Sequence, residues 1–328
     1  MKLGAAAAVT LAVASLLAAR ADAQDKVTFG TDWRAQAEHG CFYQALATGL
    51  YRQHGLDVTI RQGGPNVNHR QLLISGGIDF NMGSNAFGAL NFVQEKIPMV
   101  AVAAIFQKLP AVLIAHPGQG NDTIAALKGK PILISTDARG TWWQFLKLRF
   151  GYTDDQIRPY TFNSGPFLAD KRLVQQGYLS SEPYSIEKEA KFKPVVMLIA
   201  DAGLPAYSTL IETSQKTIDA KPDVVQRFVD ASIKGCYSYH NGDPAPANAL
   251  IKKDNPEMTD DLLANGRNLM NQHGIVDSGD TKTLGIGAMT DARWEEFAKV
   301  MIETGAYPKD LDWKKAYTTK FVNKKAGM

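Results

Sequence analysis

From Val27 to Glu212 the chain alternates short, β-branched apolar runs with stretches whose apolar residues recur every three to four positions. This rhythm constrains the fold more than any other feature, because strands separated by helices pair mostly in parallel and need helices on both faces. Val27–Trp33 reads as a strand, Phe42–Gln53 as a helix and Leu56–Arg61 as a strand, a βαβ unit. The theme continues with a helix over His69–Ser75, a strand over Ile78–Met82, a helix over Ala86–Gln94 and a buried strand over Met99–Ile105. A second run follows Ala111–Ala115: a short helix over Ile124–Leu127, strand Pro131–Ser135, helix Thr141–Phe150, strand Ile157–Phe162, helix Phe167–Gln176 and strand Val195–Ala200. Tyr207–Glu212 is strand-like again, and helices then dominate, notably Pro222–Tyr239 and Asp291–Thr304.

The expected class is α/β and bilobed, with two parallel or mixed sheets flanked by helices and joined by a two-strand hinge. The chain would cross between lobes near residues 113–118 and 203–208. Lobe I would hold residues 24–114 and 207–328, and lobe II residues 115–206.

Ahead of this pattern, Lys2 precedes an apolar run from Leu3 to Ala18, then Arg20 and the small-residue site Ala21-Asp22-Ala23. The run is shorter than the roughly 20 residues of a membrane span, so it reads as a signal peptide cleaved after Ala23, with the periplasm as destination. The net charge of +3, with both signs interspersed, gives no basic stripe for nucleic acid and names no partner. Cys41 and Cys236 are the two cysteines of the chain, too few for a disulfide scaffold, and two separate thiols are expected rather than a bridge. No C-x-x-C, H-E-x-x-H, phosphate loop or nucleophile elbow is present, so no metal, cofactor or catalytic residue is expected.

In open α/β sheets, ligands sit beyond the carboxyl ends of the strands, at the loops leading into helices. The first such junction, TDWRAQAEHGCFYQAL at 31–46, crowds Trp33, Glu38 and His39 together. Trp33 offers a flat face for an aromatic ligand, and Glu38 and His39 offer directional hydrogen bonds. Trp33 could instead pack a core, His39 cap a helix, and Glu38 favour a helix dipole. Gly63, Gly64 and Pro65 form a turn, with Asn66 and Asn68 as turn or cap residues. Ser84 and Asn85 suit a helix cap and could also face the ligand. On the second lobe, Thr141 would cap the helix that carries Trp142 and Trp143. Neighbouring helical residues point about 100 degrees apart, so one indole at most faces a cleft, and Trp142 is preferred. Glu182 could accept from a ligand amino group and Tyr184 could stack, with a surface turn as the alternative.

These residues bear a family resemblance. The segment DWRAQAEHGCFYQALATGLYRQHGLDV, 32–58, with Trp33, His39 and Gly55-Leu56-Asp57-Val58, together with Ser181-Glu182-Pro183-Tyr184, resembles the periplasmic solute-binding proteins of ABC importers related to thiamine-pyrimidine synthases. The similarity runs from about residue 27 to at least residue 240. It implies a type II periplasmic binding fold, monomeric, that closes on a small heteroaromatic ligand and delivers it to an ABC permease and its ATPase. Members of this group are associated with formylaminopyrimidine or hydroxymethylpyrimidine, and looser relatives with sulfonates, nitrate or flavins. The synthase branch carries a cysteine-rich signature that this chain lacks, which weighs against a pyrimidine-making enzyme. Sulfonate or nitrate capture would favour cations. Glu38 and Glu182 argue for an amino-bearing planar ring, while Arg139 keeps the anion alternative open.

Overall fold

The computed structural model describes residues 24–64 and 67–328. The signal-peptide reading and the turn roles of Pro65 and Asn66 lie outside the described residues. Among the described residues, ten strands form two five-stranded sheets. In chain order they are β1 (Asp25–Gly30), β2 (Leu56–Arg61), β3 (Phe80–Asn85), β4 (Met99–Phe106), β5 (Ala111–Ala115), β6 (Ile132–Ile134), β7 (Ile157–Pro159), β8 (Val174–Tyr178), β9 (Val195–Leu198) and β10 (Ser208–Ser214).

The first sheet runs β2-β1-β3-β10-β4, with β1, β2 and β3 parallel and β10 antiparallel to both of its neighbours. The second runs β7-β6-β8-β5-β9, where β5 is the antiparallel strand. One returning strand in each sheet makes both mixed. That is what a chain crossing twice between lobes requires.

The β4 run MVAVAAIF is buried along its whole length although it lies at a sheet edge. Its free edge is covered by bridges from Ala101 to Tyr317 and from Ala104 to Gly287, so an apolar edge that would otherwise invite aggregation is sealed by the C-terminal segment.

All of Ala111–Ala115 pairs inside the second sheet, so the chain leaves the first sheet at residues 107–110, earlier than the 113–118 read from the apolar run. The return passes through residues 203–207 into β10. Arg293, on the helix Asp291–Glu303, ties the two crossings together. Its guanidinium donates to the Gln107 carbonyl, to Gln107 Oε1 at 3.2 Å and to the Pro205 carbonyl at 3.1 Å, and it lies 4.3 Å over the Tyr207 ring.

Three other expectations differ. The helix expected over Phe42–Gln53 is broken into Gly40–Ala47 and Leu50–Gln53, with Gly49 at a φ of +74° between them. Phe167–Gln176 is not one helix: a short helix over Gly165–Ala169 gives way to β8. The apolar periodicity of that stretch fits either period over so few residues. Glu182–Ala190 is a helix rather than a surface turn, with Pro183 inside its first turn where a missing N–H costs nothing.

The cysteines are joined, against the expectation of separate thiols. The helix Gly40–Ala47 crosses the helix Pro222–Asn241 so closely that a Cβ on Gly235 would lie 2.3 Å from the Cys41 carbonyl oxygen. Sequence separation of 195 residues hid a pairing that this backbone approach makes. The bridge therefore pins the helix that follows the Trp33 junction.

Candidate functional site

The two sheets point the C-terminal ends of β1, β3 and β8 at a shared gap. On the lobe I side, β1 ends at Gly30 and the chain turns through Thr31 and Asp32 into the 3-10 turn Ala37–His39. His39 is 2% exposed, and both of its ring nitrogens are used. The Gln36 backbone N–H donates to Nδ1 at 3.0 Å, so Nδ1 must be the acceptor, and Nε2–H donates to Asp32 Oδ1 at 3.2 Å. Burial alone would raise the Asp32 carboxyl, but the hydrogen bond from His39, with help from the Ser84 hydroxyl, holds it below the ordinary carboxylate range. Asp32 is thus a preorganised anion at the gap.

Glu38 is buried and accepts a hydrogen bond from the Ser180 hydroxyl of lobe II, a direct tie across the gap. Trp33 is half-buried, and its ring meets Phe162 of lobe II at 4.9 Å between centroids, tilted by 43°. Its indole therefore faces the other lobe.

The lobe II side is built differently. Tyr178, at the end of β8, is pushed well above the ordinary phenol range by burial and by the nearby charges of Asp32, Glu38 and Asp137. Asp137 is raised by burial and by the Asp32 charge, which places the two carboxylates on the same gap. Asp137 is nevertheless exposed to solvent. Glu182 Oε2 accepts from the Tyr178 backbone N–H at 2.8 Å, and Tyr160 donates to Oε1 at 3.4 Å. Burial raises the Glu182 carboxyl, with the backbone N–H opposing. Tyr160 in turn lies 5.3 Å from Phe162, which continues the aromatic wall toward Trp33.

Among the residues singled out from sequence, Trp33, Glu38, His39, Ser84 and Glu182 come together around this gap. Asn85 occupies the N-cap position of the helix Ala86–Gln94, but its side chain makes no cap bond. Thr141 is buried, with its hydroxyl turned back to the carbonyls of Asp137 and Ala138. Trp142 is only 5% exposed and has little face to offer, while Trp143 is packed against Tyr152 and donates to Asp154 at 2.9 Å. Tyr184 lies on the helix Glu182–Ala190 with Lys188 Nζ 5.1 Å over its ring. Arg139 lines a separate concavity of about 400 Å³ on lobe II, with Trp143, Gln144, Asp154, Ile157 and Pro159.

Sequence reasoning passed over Asp32, His69, Asp137, Tyr160, Phe162, Tyr178 and Glu212. Asp32 stood inside the quoted junction, and Glu212 stood as a lone carboxylate within an apolar strand, a pattern that itself signals a buried polar role.

The family pattern described as NMT1/THI5-like matches residues 36–247, well over half of the chain. The chain belongs to the NMT1/THI5-like family. Its similarity extends to riboflavin-binding protein RibY of Chloroflexus aurantiacus, 23% identical over 90% of this chain and 86% of that protein. Three solved structures share the fold. The ligand-binding component of an ABC-type import system from Staphylococcus aureus has a TM-score of 0.67 at 13% identity, covering 93% of this chain and 100% of that one. The periplasmic aliphatic sulphonate binding protein SsuA from Escherichia coli has a TM-score of 0.66 at 12% identity, covering 89% and 91%. The desulfurization enzyme DSZB has a TM-score of 0.59 at 13% identity, covering 92% and 98%. This NMT1/THI5-like chain therefore has the bilobed fold of periplasmic binding proteins, a fold that carries receptors and an enzyme alike.

Proposed function

We propose that this NMT1/THI5-like protein is the exported binding component of an ABC importer, and that its lobes close over a small planar nitrogen heterocycle of the pyrimidine or thiamine-precursor type. The observation that carries the reading is the composition of the gap. Four carboxyls, Asp32 and Glu38 of lobe I and Asp137 and Glu182 of lobe II, lie within electrostatic reach of one another across the gap, and Trp33 and Phe162 also meet across it. A ligand that satisfies them must bring N–H or O–H donors and a flat face. The likeness to a riboflavin-binding protein supports a flat nitrogen heterocycle as the ligand class.

A sulfonate or nitrate receptor shares the fold but would favour cations, and this gap sets four carboxyls beside the single guanidinium of Arg70. Arg139, the cation that kept that alternative open, lies in the lobe II concavity instead. The protein is read as a receptor and not a pyrimidine-making enzyme. Both cysteines are tied up in the bridge, leaving no thiol nucleophile. Closure is a hinge motion about the Arg293 clamp, driven by the ligand's added contacts in the closed state. The functional partner is the importer's permease with its ATPase, and the receptor acts as a monomer in the periplasm.

The test is a titration of the purified protein with 4-amino-5-hydroxymethyl-2-methylpyrimidine, riboflavin, taurine and nitrate, followed by tryptophan fluorescence. Saturable binding of a heterocycle and none of the two anions is expected. The reverse pattern contradicts the reading.

A further inference from the structure

Behind the gap lies a hydrogen-bond relay that the functional reading leaves unused. Glu212, on β10 in the interior of the first sheet, is 1% exposed, and its Oε2 accepts from Asn81 Nδ2–H at 2.7 Å. Asn81, buried on the adjacent β3, has its Oδ1 2.6 Å from His69 Nδ1. With the Asn81 amide nitrogen directed at the carboxyl, its oxygen can only accept, so His69 Nδ1 carries the proton and donates. That leaves Nε2 with a lone pair in the neutral ring, and among the described residues nothing bonds it.

Asn81 pairs with Gly30, the last residue of β1, so the His69 ring that bonds it lies at the strand end from which Asp32 follows, with Arg70 next in the chain and Glu212 behind. His39 is the opposite case, with both nitrogens consumed inside the protein.

The relay carries a cost. Glu212 Oε1 has no partner, and burial raises this carboxyl despite the Asn81 hydrogen bond. Gly83 leaves it room: a Cβ there would lie 2.4 Å from Oε1. A buried carboxyl with a bare oxygen destabilises a fold unless it does something else. Aiming His69 is such a task.

We propose that His69 is a ligand contact that selects for an N–H or O–H donor, with Asn81 and Glu212 as the positioning residues that hold its ring; this rests on the reading of the gap as the ligand site. Side-chain ¹⁵N spectra of the histidine-labelled, ligand-free protein test the relay without any ligand. His69 should hold the Nδ1–H tautomer, Glu212→Gln should retain it because the amide keeps an acceptor oxygen, and Asn81→Leu should release a mixture. A His69 ring carrying its proton on Nε2 in the unaltered protein overturns the proposal.

Binding of 4-amino-5-hydroxymethyl-2-methylpyrimidine, riboflavin and taurine then measures the contact. The probe that binds should lose about tenfold in affinity with His69→Phe, the worth of one shielded hydrogen bond, and less with Asn81→Leu. His69→Gln serves as the second variant should the phenylalanine disturb folding. Equal affinity across all variants overturns the proposal. If no probe binds the unaltered protein, the cargo reading fails by itself, and the tautomer result decides the inference.

Discussion

The two walls of the gap solve the same problem in opposite ways. On lobe I the polar groups are bonded to one another before any ligand arrives: Gln36 holds His39, His39 holds Asp32, and Glu212 holds Asn81 and through it His69. On lobe II the wall is a set of rings and two unlike carboxyls, Glu182 held by the Tyr178 N–H and the Tyr160 hydroxyl and Asp137 facing solvent. Phe162 is 51% exposed and sits at a φ of +60°, a conformation that side chains other than glycine rarely adopt. Asp137 stays in contact with solvent. The difference teaches that lobe I carries the more extensively pre-bonded polar wall, and we propose that it sets what is recognised while lobe II covers it.

The largest effect that would sharpen this comparison concerns what holds lobe I rigid. Replacing Cys41 and Cys236 together by alanine should lower stability by about 2–5 kcal/mol, read by denaturant unfolding. A negligible change would mean that the Trp33 junction is held by packing alone.

Acid should single out lobe I next. His240, buried on the helix Pro222–Asn241 and donating from Nδ1 to Asn271, is depressed by burial from 6.5 to about 4. Between those values the unfolded chain binds the proton and the folded one does not. Stability is therefore full above pH 6.5 and falls as pH drops toward 4, by up to about 3 kcal/mol. His240→Gln should flatten the slope in a pH series of melting curves.

A smaller pair of substitutions tests the asymmetry across the gap itself. His39→Leu should cost about 2 kcal/mol, because it leaves Asp32 buried without its donor. Asp137→Asn should cost nothing measurable, since that carboxyl has solvent to fall back on. Equal losses would erase the distinction between the walls.

The smallest change belongs to Phe162. Phe162→Gly relieves the left-handed backbone and removes the Trp33 contact, so stability should shift by less than about 1 kcal/mol. The emission of Trp33 in the ligand-free protein should nevertheless move to longer wavelength.

Much of the architecture was legible in the sequence, because β2, β4 and the helix Ala86–Gln94 carry strong periodicity, whereas Gly49 breaks the helix expected over Phe42–Gln53. Leu56–Arg61 and Ala86–Gln94 match their expected bounds residue for residue. Where the period was ambiguous over a few residues, as at Phe167–Gln176, the assignment failed. The site was legible only as a place. Trp33, Glu38 and Glu182 could be located at strand ends, yet which atoms of His39 were free depended on a backbone N–H three residues away, and the Asn81–Glu212 pairing joins strands 131 residues apart in sequence. Trp142 looked available from its position at a helix start, but packing around that helix buries it. Side-chain burial and long-range pairing are properties of the folded chain that local pattern does not encode.

The central claim is that the gap recognises a flat, donor-bearing heterocycle through the lobe I wall. Native mass spectrometry of the protein taken directly from the compartment that holds it, compared with its Trp33→Ala variant, tests this most directly. A co-purified nitrogen heterocycle present on the unaltered protein and lost from the variant is the predicted result. A bound sulfonate or other anion, retained when Trp33 is removed, would contradict it.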